Sequence, residues 1–210
     1  MIADDHAMVR QGFMILLNAQ PDIEVIGEAA DGQEMVNLAE TLKPDVILAD
    51  ISMPNLNGIE ATKLIHQQNP ELPVVIITIH TSSSYVIRAL RNGARGYVVK
   101  NDDFQNVVQA IKTVSQGQRY LSNMVSEQII DAVISGTSMD YNLDERISIR
   151  EREILQLIAE GNTNSQIAQK LVISARTVET HRTNIMRKLD LTSQIDILRY
   201  AIQHGLIQIE

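Results

Sequence analysis

Val46-Ile-Leu-Ala-Asp50-Ile-Ser-Met-Pro54-Asn-Leu-Asn-Gly58 is the stretch on which the reading of this chain turns. Four apolar residues without polar alternation are the pattern of a strand buried on both faces of a sheet, and a carboxylate follows at once. Working outward, short apolar runs of the same kind occur at residues 2–3, 23–26, 74–77 and 97–99. Helical stripes lie between them: Val9, Phe13, Leu16 and Leu17; Val36, Ala39 and Leu42; Val86, Ala89 and Leu90; Val107, Ala110, Ile111 and Val114. Five strands alternating with five helices predict an α/β fold, a doubly wound parallel sheet covered on both faces. The first strand is short, because only three residues precede Asp4, so the start is either trimmed or misplaced.

After Gly117 the strand signal stops and the rest reads as all-α. Ser122 is positioned to cap a helix over about 122–135, with Met124, Ile129, Ile130, Val133 and Ile134 apolar, and residues 136–145 read as a flexible acidic linker. Four helical patterns follow at about 150–160, 164–171, 175–188 and 193–203. The expected division is therefore 1–117, a connecting segment 118–146, and 147–210.

The 210 residues, at the usual ~150 per domain, fit one modest domain and a smaller one. With 44% hydrophobic and 21% charged residues the chain is ordinary globular material. No apolar run approaches the ~18 residues of a membrane span and no charged, apolar leader is present, so a soluble protein is expected. The absence of cysteine excludes disulfides, thiolate zinc sites and thiol nucleophiles, and fits a reducing cytoplasm. An aromatic content of 3%, without Trp, argues against base-stacking platforms for single strands. The net charge of −8 is unevenly spread: residues 1–119 carry −5, residues 120–146 carry −4, and residues 147–210 carry +1. Two parts with different partners are implied.

In an open parallel sheet the ligand crevice lies beyond the carboxyl ends of the strands. Asp4 and Asp5 end the first strand there and Asp50 follows the third, so three carboxylates converge and would repel one another without a hard cation. Mg²⁺ suits such oxygen donors and keeps waters that a phosphate can displace. Thr78 and Lys100, at the ends of the fourth and fifth strands, offer a hydroxyl and an ammonium to phosphoryl oxygens on the same rim. Aspartate can accept a phosphoryl group covalently.

In the tail, Gly161 separates short capped helical segments; Asn164 or Ser165 can cap one and Ser174 the next, as in a helix-turn-helix. At 100° per residue, Val178, Ile185 and Leu189 share one face of the following helix, with His181 beside them. Arg176, Glu179, Thr180, Thr183 and Arg187 fall opposite, a face combining phosphate-seeking arginines with groups able to touch base edges. A stripe of Ile195, Ile197, Leu198, Ala201 and Ile202 follows, which either closes a four-helix core or serves a dimer.

Taken together, Asp4-Asp5-His6, the stretch from Asp50 to Gly58, Thr78-Ile-His80, Gly96-Tyr97-Val-Val-Lys100 and the run from Thr177 to Leu189 resemble bacterial response regulators of the NarL/FixJ type, a receiver domain joined to a LuxR-type helix-turn-helix. The resemblance spans nearly the whole chain and implies a flavodoxin-like strand order 2-1-3-4-5 followed by four helices. It implies Asp50 as phosphoacceptor, with Asp5 a direct Mg²⁺ ligand, Asp4 acting largely through water and the Ser52 carbonyl completing the protein ligands. Thr78 and Lys100 match the groups that grip the phosphoryl, and Tyr97 the aromatic that turns inward when Thr78 moves. Glu179, Thr180 and Thr183 match base-edge positions, Arg176, Arg182, Arg187 and Lys188 phosphate contacts. The implied partners are a sensor histidine kinase, double-stranded DNA at paired half-sites, and a second copy of the chain on activation. The family often has proline after the lysine, in a cis peptide; Asn101 stands here, and a trans bond is expected because non-proline cis bonds cost ~2.5–4 kcal/mol. Ser52 and His80 sit where family members vary and tune the phosphoryl lifetime.

Two other classes share part of this pattern. A Mg²⁺-dependent phosphohydrolase of the aspartyl-phosphate kind would normally place a second aspartate two residues after its nucleophile, where this chain has Ser52. A regulator indifferent to phosphorylation would have no use for the acidic rim.

Overall fold

The computed structural model describes residues 1–134, 146–203 and 206–207, which form two compact units, Met1–Tyr141 and Asn142–Glu210. The predicted acidic linker at 136–145 lies outside the described residues.

In the first unit β1 (Ile2–Ala3), β2 (Glu28–Ala29), β3 (Ile47–Ala49), β4 (Val74–Thr78), β5 (Gly96–Val99) and β6 (Tyr120–Leu121) form one sheet in the order β2-β1-β3-β4-β5-β6. Every pairing is parallel. The predicted order holds for five strands, and a sixth extends the edge: Tyr120 donates its N–H to the Arg95 carbonyl at 3.0 Å and Ser122 to that of Tyr97 at 3.1 Å, pairing beyond the point where the sequence signal ends. The second strand is Glu28–Ala29, not the apolar run at 23–26, because β1 is two residues long and its register partners are Glu28 and Ala29.

Along β4, Val74 and Ile76 face one core and Val75 and Ile77 the other, the period-two alternation of a pleated strand. Helices α2 (Gly32–Leu42), α3 (Gly58–Gln68) and α4 (Ser83–Arg91) bury Met35, Val36, Ile59, Ile65, Val86 and Ala89 on the first face; α1 (Ala7–Asn18) and α5 (Phe104–Ser115) bury Leu17, Val107, Ala110 and Val114 on the second. Leu16, read as part of the α1 stripe, is exposed. Helix α6 (Asn123–Ile134) belongs to this unit: Val125 and Ile129 pack into the first core, whereas Met124, Ile130 and Ile134 face solvent.

The second unit holds α7 (Ile149–Ala159), α8 (Asn164–Leu171), α9 (Ala175–Leu189) and α10 (Gln194–Gln203) around Ile154, Leu155, Ile167, Val178, Ile185, Leu189, Ile197 and Ala201. Thr163, rather than Asn164 or Ser165, caps α8, in a capping box with Gln166; Ser148 and Glu151 form another at α7. Ser174 caps α9 as expected, accepting from Thr177 N–H at 3.0 Å. Helix α10 divides its stripe, Ile197 and Ala201 closing the core while Ile195 and Leu198 stay exposed.

Candidate phosphoryl site and nucleic-acid interface

The acidic rim is built by strands that stop at its edge. Asp4 follows β1 and Asp50 follows β3, whose alignment is fixed by Asp50 N–H donating to the Ala3 carbonyl at 2.8 Å. Asp4 is 1% and Asp50 4% exposed. Lys100, directly after β5, reaches both: its Nζ donates to Asp4 Oδ2 at 2.6 Å and to Asp50 Oδ2 at 2.7 Å. The ammonium thus joins side chains 96 and 50 residues away in sequence. Burial pushes the Asp50 carboxyl above its usual range, against the pull of Lys100. Burial also works to lower the Lys100 ammonium, but the Asp50 charge and the two carboxylate hydrogen bonds outweigh it and raise it. The rim is a buried cluster in which Lys100 is held as an ammonium by the carboxylates it touches, while burial outweighs the pull of that ammonium on Asp50.

Gly58 is required beneath it. The turn after Asp50 folds back so closely that a Cβ at Gly58 would lie 1.9 Å from the Asp50 carbonyl oxygen. Asn57 then caps α3, accepting from Ile59 and Glu60 N–H at 3.1 Å each. Asn55, in the left-handed region at φ 65°, donates to Asp31 at 2.8 Å.

Of the other predicted rim groups, Asp5 is exposed and its carboxylate lies 2.7 Å from His6 Nδ1. Asp4, Asp5 and His6 offer ligand atoms within 4.8 Å of one another; the resemblance includes His6 in its first motif but gives it no ligand role. Thr78 is fully buried, and its hydroxyl accepts from the His80 N–H at 3.4 Å. Tyr97 is already turned inward, fully buried, with its hydroxyl donating to the His80 carbonyl at 2.8 Å. Burial and the neighbouring charges of Tyr85 and Asp50 push that phenol well above its ordinary range, so it stays a donor. The His80 ring stacks on Tyr85, centroids 4.2 Å apart, with Nε2 3.3 Å from Ser52 Oγ. Burial lowers the ring below the usual imidazole value, so it is neutral at physiological pH. Thr78 and Tyr97 are thus joined through the backbone of His80, a link carried by main-chain groups that leave no mark in the sequence. Tyr85 was missed too; its place in the first turn after Ser82, beside Val86, is the signal that could have found it. The peptide bond between Lys100 and Asn101 is trans.

The donor set suits a hard divalent cation. The carboxylates of Asp4 and Asp50 share one ammonium and Asp5 lies next in the chain beside His6, which leaves the rim with excess negative charge on oxygen ligands.

In the second unit α9 presents Arg176, Glu179, Thr180, Thr183 and Arg187 to solvent and buries Val178, Ile185 and Leu189. His181 and Arg182 are half-buried. Asn164 of α8 donates to Glu179, and the Thr180 and Thr183 hydroxyls donate to carbonyls one turn back at 3.0 Å. Lys188 departs from the expected face: its Nζ lies 2.8 and 2.7 Å from the two carboxylate oxygens of Glu151, which also completes the α7 capping box. Burial tends to raise the Glu151 carboxyl, but hydrogen bonds from Lys188 and Ser148 and the Lys188 charge hold it below the usual carboxylate range.

A parallel doubly wound unit with acids at its strand ends, followed by a helix-turn-helix unit, defines a class: proteins that couple a receiver to a DNA-reading head. Residues 1–112 match the family of the response regulator receiver domain, and residues 145–201 that of bacterial regulatory proteins of the luxR family. The chain belongs to the two-component response regulators of the NarL type, DNA-binding regulators of transcription under phosphorylation control rather than metabolic enzymes, which sets the phosphohydrolase reading aside. Its relatives include the oxygen regulatory protein NreC of Staphylococcus carnosus, 39% identical over 211 residues covering 98% of this chain and 97% of the relative. NreC of Staphylococcus aureus is 41% identical over 212 residues, 99% of this chain and 98% of its own. Among solved structures, the response regulator ChrA of a heme-sensing two-component system superposes with a TM-score of 0.54 at 32% identity, covering 99% of this chain and 97% of ChrA. RcsB of Salmonella enterica serovar Typhimurium, bound to promoter P1flhDC with a phosphomimetic, gives 0.58 at 28% identity over 95% of each chain. No helix among the described residues is long and apolar enough to cross a membrane.

Proposed function

We propose that Asp50 is the residue phosphorylated. Its carboxylate oxygen attacks the phosphorus of a phosphohistidine on a partner kinase; the new O–P bond forms as the P–N bond breaks, the bonding pair returns to the ring nitrogen, and the imidazole leaves neutral with the proton its other nitrogen already carried. Asp4, Asp5, Asp50 and the Ser52 carbonyl would hold Mg²⁺, which offsets the charge of the incoming phosphoryl. Lys100 keeps an ammonium at the same point and Thr78 a hydroxyl beside it. The observation that carries this reading is the Lys100 bridge, which gathers Asp4 and Asp50 at one buried spot. The adduct hydrolyses on the protein itself, which returns the switch to its resting state without making the chain a turnover enzyme.

Movement of Thr78 reaches Tyr97 through His80, and from there the β5 rim. The output is DNA binding by residues 147–210, the receiver being 1–117 and the connecting segment 118–146. Glu179, Thr180 and Thr183 read base edges; Arg176, Arg182, Arg187 and Lys188 meet phosphates. A unit of charge +1 neutralises few phosphates alone, so two copies act on paired half-sites, and the outer stripe of Ile195 and Leu198 on α10 supplies a dimer face. The setting is the cytoplasm.

The test is treatment with a small acyl phosphate and Mg²⁺, mass spectrometry under mild conditions, and a duplex-selection assay at controlled salt. The parent should gain one labile phosphoryl group and bind duplex more tightly, and Asp50→Asn should do neither. Equal labelling of Asp50→Asn, or full regulation by it, would overturn the assignment.

A further inference from the structure

Helix α8 ends on a residue that does not suit its backbone. Val172 caps it in the left-handed region, at φ 54° and ψ 46°. That conformation is the ordinary province of glycine or asparagine and is a genuine outlier for a β-branched side chain. The other non-glycine residues with positive φ among those described are Lys43, Asn55 and Asp190, none of them β-branched. Nor does the fold gain from the valine: its side chain is 91% exposed, the most exposed large apolar group among the described residues, while its neighbours Leu171 and Ile173 pack into the core. A strained backbone under an apolar group left 91% exposed points to a contact made elsewhere.

Its place in the chain indicates the contact. Val172 stands two residues before Ser174, the cap of α9, whose first turn presents backbone N–H groups and the exposed Arg176. A helix end of that kind attracts phosphates. We infer that Val172 is a positioning residue for DNA: its isopropyl group packs on the deoxyribose of the backbone strand that lies along the α8–α9 turn, and so fixes how deep and in what register α9 enters the groove. This rests on the DNA-reading assignment of α9 and adds a contact that is apolar and independent of sequence.

The contact carries no charge, so its loss should change affinity without changing salt dependence. The experiment uses the full chain treated with an acyl phosphate and Mg²⁺, a duplex recovered by selection with the parent, and a random-sequence duplex. Val172→Asn should raise the melting temperature of the helical unit, since asparagine accepts the left-handed region, while weakening both duplexes about fivefold with an unchanged slope of log affinity against log salt. Val172→Thr, which keeps the branched shape, should stay within about twofold of the parent, as a shape contact requires. A Val172→Asn protein that gains stability and binds as tightly as the parent overturns the contact alone, as does one that loses stability. A parent that binds no duplex at any salt sinks the α9 assignment together with it.

Discussion

Asp50 and Arg176, both proposed to meet a phosphate, sit in opposite settings: Asp50 keeps 4% of its surface in water and lies 2.7 Å from a lysine, whereas Arg176 stands exposed on the outer face of α9. Much of the rim is built in the free chain: Asp4 and Asp50 are buried against Lys100, and all three are held at the ends of β1, β3 and β5. The outer face of α9 is open: Arg176 and Arg187 are exposed, and Glu179, Thr180 and Thr183 make local hydrogen bonds. A buried site must balance its charges within the folded chain, so its residues serve stability as well as chemistry. An exposed site carries no such obligation, and substitutions there should leave the fold almost untouched.

The sharpest way to break that contrast is Lys100→Met. Removing the ammonium leaves Asp4 and Asp50 facing each other in a buried setting, so the receiver unit should lose roughly 3 kcal/mol in metal-free buffer, measured by urea unfolding. Mg²⁺ should restore more stability to the variant than it adds to the parent, because a divalent cation can take over the bridging role. Arg176→Ala, the matching change on α9, should shift stability by no more than about 0.5 kcal/mol. Equal and small losses for both would mean that the rim is no more pre-built than the reading face.

Lys188 sharpens the comparison because it sits on the reading helix yet behaves like a rim residue. Its pairing with the buried Glu151 predicts that Lys188→Met costs about 1–2 kcal/mol, between the values for exposed and for buried pairs. Glu151 has a folded value below its unfolded one of about 4.5. The pair therefore contributes stability above that pH and loses it as pH falls through the lower, folded value. In Lys188→Met the folded carboxyl rises toward or past its unfolded value, so the acid loss at Glu151 should shrink or reverse, read from melting temperatures of the helical unit between neutral and acid. With duplex, Arg176→Ala should reduce the salt slope by about one, and Lys188→Met by less, because its ammonium is already shared with Glu151.

Strands β3 to β5 were legible because strands buried on both faces are apolar throughout, and Asp50, Thr78 and Lys100 because each stands at the end of such a run. Strand β2 was misread since apolar content suggests a strand at 23–26, but register is set by the partner, and β1 pairs with Glu28 and Ala29. Strand β6 has two half-buried residues, too few to show a period. At the site, what escaped the sequence was carried either by main-chain groups, as in the link from Thr78 through His80 to Tyr97, or by ion pairs between distant positions, as between Glu151 and Lys188, 37 residues apart. Neither leaves a local pattern.

The smallest expected effect lies at the edge of the rim. Ser52 and His80 touch each other, and the ring is pinned between the Ser52 hydroxyl and the face of Tyr85. The ring held there feels the charge of Asp50, and on the proposed assignment of Asp50 it is expected to limit the water that reaches a phosphoryl group. Ser52→Ala removes one hydrogen bond worth about 1 kcal/mol, so the ring should swing free more often and the adduct should hydrolyse up to about fivefold faster, with stability within about 0.5 kcal/mol of the parent. His80→Ala, which clears the approach completely, should hydrolyse faster still, and the double variant should match His80→Ala because the serine acts only through the ring. Additive effects in the double variant, or an unchanged lifetime in Ser52→Ala, would show that the two side chains act separately and that water reaches Asp50 by another route.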